Sequence, residues 1–204
     1  MISLPRLYAI VDASLFPDFG SLCSFAEKLA AGGVTLLQYR NKAGNARQML
    51  EEARELKRLL GNSVQLIMND RADLCVAARF DGVHLGQDDL SPEGARKVIG
   101  DGCWLGVSTH SPEQMMEADK TSADYIAVGP VFPTAGKANP DPTIGLEGVR
   151  RARPLTGKPL VAIGGITRSN CRSVIEAGAD SVAVISDLLR EPRKSVEAFF
   201  RVLR

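Results

Sequence analysis

Short runs of apolar residues recur along the chain at regular intervals. Each run has four or five residues, is rich in Val, Ile and Leu, and is bounded by Gly, Pro, Asn or Asp. The eight runs are Leu7–Val11, Leu36–Tyr39, Val64–Met68, Gly82–Leu85, Trp104–Val107, Tyr125–Val128, Leu160–Ile163 and Val182–Ile185. Continuous apolar runs of this length are typical of strands that are buried on both faces, as in a parallel sheet.

Amphipathic helical patterns fill the gaps between these runs. Ser91-Pro92 and Ser111-Pro112 are typical helix starts, because serine caps the helix and proline fits its first turn. Thr167 is predicted to cap a helix that runs to Ala177. Eight strands alternating with helices predict an α/β fold, a closed (β/α)₈ TIM barrel, with residues 1–204 as one domain.

An open doubly wound sheet is the alternative architecture. It would more naturally carry a GxGxxG turn after the first strand, and Asp12-Ala13-Ser14 does not resemble one. The segment 133–144, with Gly136, Pro140 and Pro142, is the one long irregular loop. A loop of this length in a small barrel is more often functional than idle.

Composition narrows the function classes. The 204 residues are 45% hydrophobic, 24% charged and 5% aromatic, with a formal net charge of +1. This balance gives no long-range attraction to nucleic acid or to a membrane surface, so anion recognition must be local. The four cysteines are widely spaced and are expected to be reduced thiols. With no leader-like N-terminus and no apolar run long enough for a membrane helix, we expect a cytoplasmic protein.

Polar residues that follow the strands are the candidates for chemistry, because the active sites of such barrels lie at the carboxyl ends of the strands. Asp70 and Asp89 follow neighbouring strands, and two carboxylates without a His/Cys cluster suit a hard cation such as Mg²⁺. Helix capping is the alternative role of both residues. Asp124 and Asp180 precede strands and are expected to be structural.

Two further groups are predicted to bind anions. Arg40, Lys42 and Lys137 form a basic set, although solvated surface charge is an alternative reading. Gly164-Gly165 and Ile185-Ser186 follow the last two strands, where barrels frequently hold phosphate, although tight turns also use glycine. Two anion sites indicate two phosphorylated substrates or one bisphosphate.

Neither histidine is a leading catalytic candidate. His84 lies inside a strand and is expected to be an oriented core histidine, whereas His110 lies in a loop where acid–base work is feasible. The sequence indicates no Ser/His/Asp triad and no Cys/His dyad for nucleophilic catalysis.

The chain resembles the thiamine phosphate synthase family along nearly its whole length, through eight blocks in order and at the family's spacing. The blocks are Leu7–Asp12, Gln38–Lys42, Asn69–Arg71, Gly82–Asp89, Gly106–His110, Asp124–Thr134, Ala162–Ile166 and Val184–Ser186. The resemblance implies a transferase of thiamine biosynthesis. It would join hydroxymethylpyrimidine diphosphate to a thiazole phosphate, with release of pyrophosphate.

The resemblance also implies roles for individual residues. One Mg²⁺ per chain would be held by Asp70 and Asp89. Catalytic roles would fall to Arg40, Lys42, Ser108 and Lys137. The pyrimidine diphosphate would contact Gln38, Tyr39, Arg40, Asn41, Lys42, Asn69, Ser108 and Lys137. The thiazole phosphate would contact Thr134, Ala135, Gly136, Gly165, Ile185 and Ser186. Gly136 departs from the hydroxyl residue common in the family. The side-chain hydrogen bond that a hydroxyl would give this phosphate is therefore not expected here, although backbone N–H groups could replace it.

Three other functions are weighed against this one. The related thiazole tautomerase uses a histidine after the sixth strand, where this chain has Pro130. A sugar-phosphate isomerase would use Asp12 or Asp70 as a base, and a non-catalytic barrel would only bind a phosphorylated ligand. The partners are expected to be small molecules, with neither nucleic acid nor membrane. The oligomeric state stays open, and a homo-oligomer is compatible with the sequence.

Overall fold

The computed structural model describes residues 2–61, 63–134 and 142–203. In this part of the chain, eight parallel strands close into one barrel in sequence order, and the last strand pairs with the first. The strands are β1 (Leu7–Asp12), β2 (Leu36–Arg40), β3 (Gln65–Asn69), β4 (Gly82–Leu85), β5 (Trp104–Thr109), β6 (Tyr125–Val128), β7 (Leu160–Ile163) and β8 (Ser181–Val184). The predicted (β/α)₈ barrel is confirmed, and the open doubly wound sheet is excluded.

An α-helix follows each strand and packs outside the barrel. The helices are α1 (Phe19–Ala31), α2 (Ala46–Leu60), α3 (Ala72–Ala77), α4 (Pro92–Ile99), α5 (Pro112–Asp119), α6 (Gly145–Ala152), α7 (Cys171–Glu176) and α8 (Pro192–Val202). The predicted caps are confirmed for α4 and α5, because the Ser91 and Ser111 side chains accept backbone N–H groups three residues on. The predicted cap at Thr167 is wrong, since α7 begins only after Asn170, whose side chain accepts the Thr167 N–H.

Apolar side chains fill two separate volumes. The larger lies between the strands and the helices, and the smaller lies inside the barrel. The barrel interior is lined by Tyr8, Ile10, Leu36, Ile67, Tyr125, Ala127, Val161 and Ala183. Because side chains alternate along a strand, Gln38 and Arg40 share the inward phase of Leu36, and Asp12 shares that of Tyr8 and Ile10. The phase of these residues therefore brings polar side chains to the carboxyl end of the barrel.

A repeated contact holds the opposite end of the barrel, where strands begin. Asp81, Asp124 and Asp180 each precede an even-numbered strand. In each case Oδ2 accepts a backbone N–H from the neighbouring odd-numbered strand at 2.8 Å. The donors are Leu66 in β3, Leu105 in β5 and Leu160 in β7. The same oxygens accept hydrogen bonds from Lys57, Arg96 and Arg153, at 2.8, 2.7 and 2.7 Å. The structural role expected for Asp124 and Asp180 agrees with these contacts, and Asp81 repeats it.

The long loop between β6 and α6 is described on both flanks. The peptide bond between Gly129 and Pro130 is cis. The Val131 N–H donates to the Ile163 carbonyl at 2.9 Å, and the Ile144 N–H donates to the Pro130 carbonyl at 2.9 Å. Both ends of the loop are thus tied to the carboxyl end of the barrel. Within the described ranges, no helix has the length and apolar character needed to cross a membrane.

Candidate functional site

Arg40 is oriented by an aspartate at the barrel mouth, which is the end of the barrel where the strands finish. Asp12 Oδ2 pairs with the Arg40 guanidinium, and Asp12 Oδ1 accepts hydrogen bonds from the Ser14 backbone N–H at 3.0 Å and the Ser14 hydroxyl at 2.7 Å. Asp12 is 7% exposed, whereas the Arg40 side chain keeps 25% of its surface in solvent. The pair therefore fixes Arg40 at the mouth with part of the guanidinium accessible. Both oxygens of Asp12 are engaged, which argues against Asp12 as a base of an isomerase.

Tyr39 and Asn41 contact helix α2. The buried Tyr39 hydroxyl donates to the Glu52 carboxylate, and Asn41 Nδ2 donates to the Tyr39 oxygen and to Glu52 Oε2, both at 3.1 Å. Asn41 Oδ1 accepts the Gly44 N–H at 2.8 Å, which closes the turn after β2. Burial, together with the Glu52 carboxylate, raises the pKa of Tyr39. These two side chains support the loop that carries Arg40 and Lys42, and neither is brought to the mouth.

Asp70 is the most unusual side chain at the mouth. Its backbone has φ 68°, in the left-handed region that aspartate tolerates better than most residues, and its N–H donates to the His84 carbonyl at 2.9 Å. The Lys42 ammonium pairs with Asp70 Oδ2, while Oδ1 is buried and has no hydrogen-bond partner in the described part of the chain. Burial raises the pKa of Asp70; Lys42 opposes this rise, and the Asp89 carboxylate adds to it.

Asp89 lies close enough to Asp70 to share a groove with it. Asp70, Arg71 and Asp89 help to line a groove of about 410 Å³ between the starts of α3 and α4. Asp89 Oδ2 accepts the Gly86 N–H at 2.7 Å, which closes the turn after β4. Asn69 ends β3 and is half-buried. The sequence-based expectation that Asp70 and Asp89 lie near one another agrees with this geometry.

These residues fit a hard cation. A buried carboxylate oxygen without a donor is costly unless a ligand satisfies it, and the repulsion between Asp70 and Asp89 is relieved by a positive charge between them. Among the described residues no group of three or more His, Cys, Asp or Glu could hold a metal ion. A cation here would therefore be coordinated by one or two carboxylates and would take its other ligands from water or phosphate. Mg²⁺ is typically coordinated in this way.

Gln38 and Ser108 line the deeper part of the mouth. Gln38 is 3% exposed, and its Nε2 donates to the Tyr8 hydroxyl at 2.9 Å. The half-buried Ser108 hydroxyl lies 2.9 Å from His84 Nε2, and its carbonyl accepts the Gln87 side-chain amide at 2.5 Å. Both predicted side chains thus reach the barrel interior and contact polar groups there.

The loops after β7 and β8 form the second candidate anion site. Gly164 and Gly165 have φ of 99° and 62°, and a Cβ at Gly165 would lie 2.5 Å from the Pro133 carbonyl oxygen, so this loop packs directly on the β6 loop. The Asp187 carboxylate accepts hydrogen bonds from the Arg168 backbone N–H at 2.8 Å and from the Arg168 guanidinium. These bonds tie the loop after β7 to the loop after β8. Ile185 ends the strand region, and Ser186 begins a short 3₁₀ turn.

Four predicted residues lie in the β6 loop. Thr134 is half-buried at the edge of the described segment, whereas Ala135, Gly136 and Lys137 lie outside the described residues. His110, which follows β5, has its ring Nδ1 2.7 Å from the Gly129 carbonyl oxygen, and its N–H donates to the Gln114 side chain. This contact connects the β5 loop to the β6 loop.

Comparison with known proteins identifies the family. The family described as thiamine monophosphate synthase matches residues 7–188. The thiamine-phosphate synthase of Koribacter versatilis is 62% identical over 205 residues, which cover 99% of this chain and 97% of that protein. This chain belongs to the thiamine monophosphate synthase family. A thiamine phosphate pyrophosphorylase structure from Pyrococcus furiosus superposes with a TM-score of 0.87 at 35% identity, over 97% of this chain and 95% of that one.

Barrels outside this family share only the fold. A structure described as native KDPGal has a TM-score of 0.74 at 16% identity, over 99% of this chain and 95% of that one. The tautomerase and the non-catalytic ligand-binding barrel are not favoured by the relatives found.

Several side chains that shape this family member's site were missed by sequence reasoning. Glu52 looks like an ordinary exposed position of an amphipathic helix, and Tyr8 and Tyr125 look like core residues. Asp12 was considered only as a base. The inward phase of β1 is a signal that could have placed Asp12 beside Arg40, because both residues end paired strands in register.

Proposed function

We propose that this chain is a thiamine-phosphate synthase that joins hydroxymethylpyrimidine diphosphate to a thiazole phosphate, forming thiamine phosphate and pyrophosphate. The observation that carries the proposal is the buried Asp70 Oδ1 without a partner in the described segments, beside Lys42 and close to Asp89. This arrangement supports a site for a cation and a diphosphate at one mouth. Membership of the family supplies the reaction that such a site would serve.

The diphosphate would lie between the basic groups and the metal site. Arg40, held by Asp12, has a partly exposed guanidinium that can donate two parallel hydrogen bonds to phosphate oxygens. The half-exposed Lys42 would move from Asp70 toward the ligand as the cation takes its place. We assign Gln38, Asn69, Ser108 and Lys137 to the same substrate, with Tyr39 and Asn41 acting through the loop that they support.

Asp70 and Asp89 would hold one Mg²⁺. When bound, the ion would neutralise the negative charge that develops on the departing pyrophosphate. Arg40, Lys42 and Lys137 would hold that pyrophosphate in place, and the Ser108 hydroxyl would orient the pyrimidine. The bond from the methylene carbon to the diphosphate oxygen breaks with both electrons leaving on oxygen. The electron-rich aminopyrimidine stabilises the resulting cation.

The thiazole phosphate would occupy the neighbouring loops. We assign Gly165, Ile185 and Ser186 to this phosphate, together with Thr134, Ala135 and Gly136, which the family resemblance implies. The Gly165 backbone approaches the β6 loop so closely that any side chain there would collide with it. Holding the thiazole nitrogen against the methylene carbon lets its lone pair form the new C–N bond, so the reaction needs no protein nucleophile and no strong base.

The proposal extends to the setting of the enzyme. One catalytic domain, residues 1–204, acts on two phosphorylated small molecules, and we place it in the cytoplasm where such substrates occur.

Pyrophosphate release tests the proposed function. Wild-type protein should release pyrophosphate and form thiamine phosphate only when both substrates and Mg²⁺ are present, and chelation by EDTA should stop both signals. Asp70→Ala should lose them while remaining folded. Turnover of a sugar phosphate without Mg²⁺, with no pyrophosphate release from folded wild type, would replace this proposal with an isomerase.

A further inference from the structure

Five polar side chains form one continuous hydrogen-bonded chain across the barrel interior. Gln38 Nε2 donates to the Tyr8 hydroxyl at 2.9 Å, and the Tyr8 and Tyr125 oxygens lie 3.1 Å apart. The Tyr125 hydroxyl lies 3.1 Å from His84 Nδ1, and His84 Nε2 lies 2.9 Å from the Ser108 hydroxyl. The chain therefore runs between Gln38 and Ser108, two residues proposed to contact the substrate, through three that are not.

The middle of this chain is shielded from water. Tyr8 and Tyr125 are 1% and 0% exposed, and His84 is 8% exposed. The Tyr125 ring stacks on His84 and meets Tyr8 edge-on, and Gly106 makes room for it, because a Cβ there would lie 2.1 Å from Tyr125 Cζ. Buried hydroxyl and imidazole groups must satisfy one another when water is excluded. The order of their protons is thus set inside the protein.

Gln38 determines the direction of the chain. Its amide nitrogen only donates, so the Tyr8 oxygen accepts and directs its single proton to Tyr125. Tyr125 then donates to His84 Nδ1, which must be unprotonated. A charged ring would set its own Nδ1–H against the Tyr125 proton with no acceptor between them, so the buried ring is neutral. A neutral ring with a bare Nδ1 carries its proton on Nε2 and donates it to the Ser108 oxygen.

We propose that His84 is a positioning residue whose Nε2–H donates to Ser108 and thereby directs the Ser108 hydroxyl proton out of the chain and toward the substrate. Tyr125 and Tyr8 hold His84 in this tautomer. Ser108 therefore acts as a hydrogen-bond donor, and the substrate atom that it meets must be an acceptor. The inference rests on the proposed function only in naming Ser108 as a substrate contact.

The tautomer can be observed without any substrate. The chain has two histidines, so a His110→Gln variant labelled with ¹⁵N-histidine reports His84 alone. Near neutral pH we expect nitrogen shifts and couplings of a neutral ring with a protonated Nε2 and a bare Nδ1. Tyr125→Phe removes the donor to Nδ1, so we expect the single tautomer to become a mixture. An Nδ1–H tautomer or a charged ring in His110→Gln, or an unchanged tautomer in Tyr125→Phe, would overturn the proposal.

A double-mutant cycle tests whether His84 acts through Ser108. We expect His84→Leu to lower kcat/KM for pyrophosphate release about ten- to thirty-fold, the effect of one well-placed hydrogen bond. The same substitution in a Ser108→Ala background should change kcat/KM less than about two-fold. His84→Gln, whose amide can still donate to Ser108, should recover part of the loss. Equal losses in both backgrounds would show that His84 does not act through Ser108.

The two parts of the test separate the inference from the proposed function. Wild-type protein that releases no pyrophosphate would sink the proposed function and leave the tautomer measurement standing. Urea unfolding curves for each variant distinguish a loss of folded structure from a loss of Ser108 orientation in a folded protein. If His84→Leu does not fold, Tyr125→Phe takes its place in the cycle, with the same expected dependence on Ser108.

Discussion

At the end of the barrel where strands begin, Asp81, Asp124 and Asp180 each accept a strand N–H and a basic side chain on one oxygen. At the end where strands finish, Asp70 keeps one buried oxygen without a partner in the part of the chain described. The first arrangement ties neighbouring strands together. The second holds a carboxylate in a state that a cation would relieve. Aspartate is thus tied into the fold at one end, and at the other end we propose that it binds a ligand.

The aspartates at the strand starts and Asp70 at the mouth also differ in how their charges are balanced. Each aspartate at the strand starts has its own Lys or Arg, so its negative charge is balanced within the fold. At the mouth, Lys42 is half exposed and Asp70 also faces the repulsion of Asp89. Stability and function are therefore separable by comparing substitutions at the two ends.

The largest expected effect is on catalysis. Asp70→Asn keeps the size and the tolerance for a left-handed backbone but removes the charge that would hold Mg²⁺. We expect pyrophosphate release to fall about a hundred- to a thousand-fold, as when a major electrostatic group is removed from an active site. The matched control, Asp124→Asn, should stay within about two-fold of wild type per folded molecule. Equal losses in both variants, measured at equal folded fraction, would contradict the separation.

The next effect concerns His84, which lies between the two ends. Its pKa is about 4 in the folded protein against 6.5 for the free side chain, so the unfolded chain binds the proton first as the pH falls. The free energy of unfolding of the wild type should thus fall as the pH drops from 6.5 to 4. Protonation of His84 should account for about 3 kcal/mol of that fall. Urea unfolding should show this loss in wild type and a smaller one in His84→Gln. Parallel pH profiles for the two proteins would contradict a neutral, buried His84.

A smaller effect is expected for the strand-start pairs. Asp124→Ala removes the acceptor of the Leu105 N–H and the carboxylate partner of Arg96, whose side chain is 16% exposed and keeps only backbone carbonyl acceptors. It should lower the free energy of unfolding by about 2 kcal/mol. Asp81→Ala and Asp180→Ala should cost progressively less, because the side chains of Lys57 and Arg153 are 24% and 30% exposed. Urea unfolding of the three variants gives the order, and a reversed order would show that exposure does not set these energies.

Sequence alone could predict the fold because the strands are buried on both faces. Six of the eight predicted strand starts coincide with the structure, and β3 and β8 each differ by one residue, since ladder pairing rather than hydropathy sets a strand's ends. The same logic brought Arg40, Lys42, Asp70 and Asp89 together, because every parallel strand ends at the same side of a barrel.

The direction and partners of individual side chains were harder to predict. Tyr39 and Asn41 flank Arg40 at the end of β2, but their side chains bond Glu52, which the sequence pattern indicates as an exposed position of α2. The Arg40–Asp12 and His84–Tyr125 contacts join residues 28 and 41 positions apart. Such pairings depend on the register of the closed barrel, which hydrophobic pattern alone does not specify.

We propose that the Asp70 carboxylate is held for a cation, whereas the Asp124 carboxylate is not. Titrating Mg²⁺ at a fixed pyrophosphate concentration, with unfolding followed in urea, tests it most directly. At ten times its Kd, Mg²⁺ should stabilise wild type and Asp124→Asn by about 1.4 kcal/mol each and leave Asp70→Asn unchanged. Equal stabilisation of Asp70→Asn and wild type would show that the ion binds elsewhere, and would contradict the account.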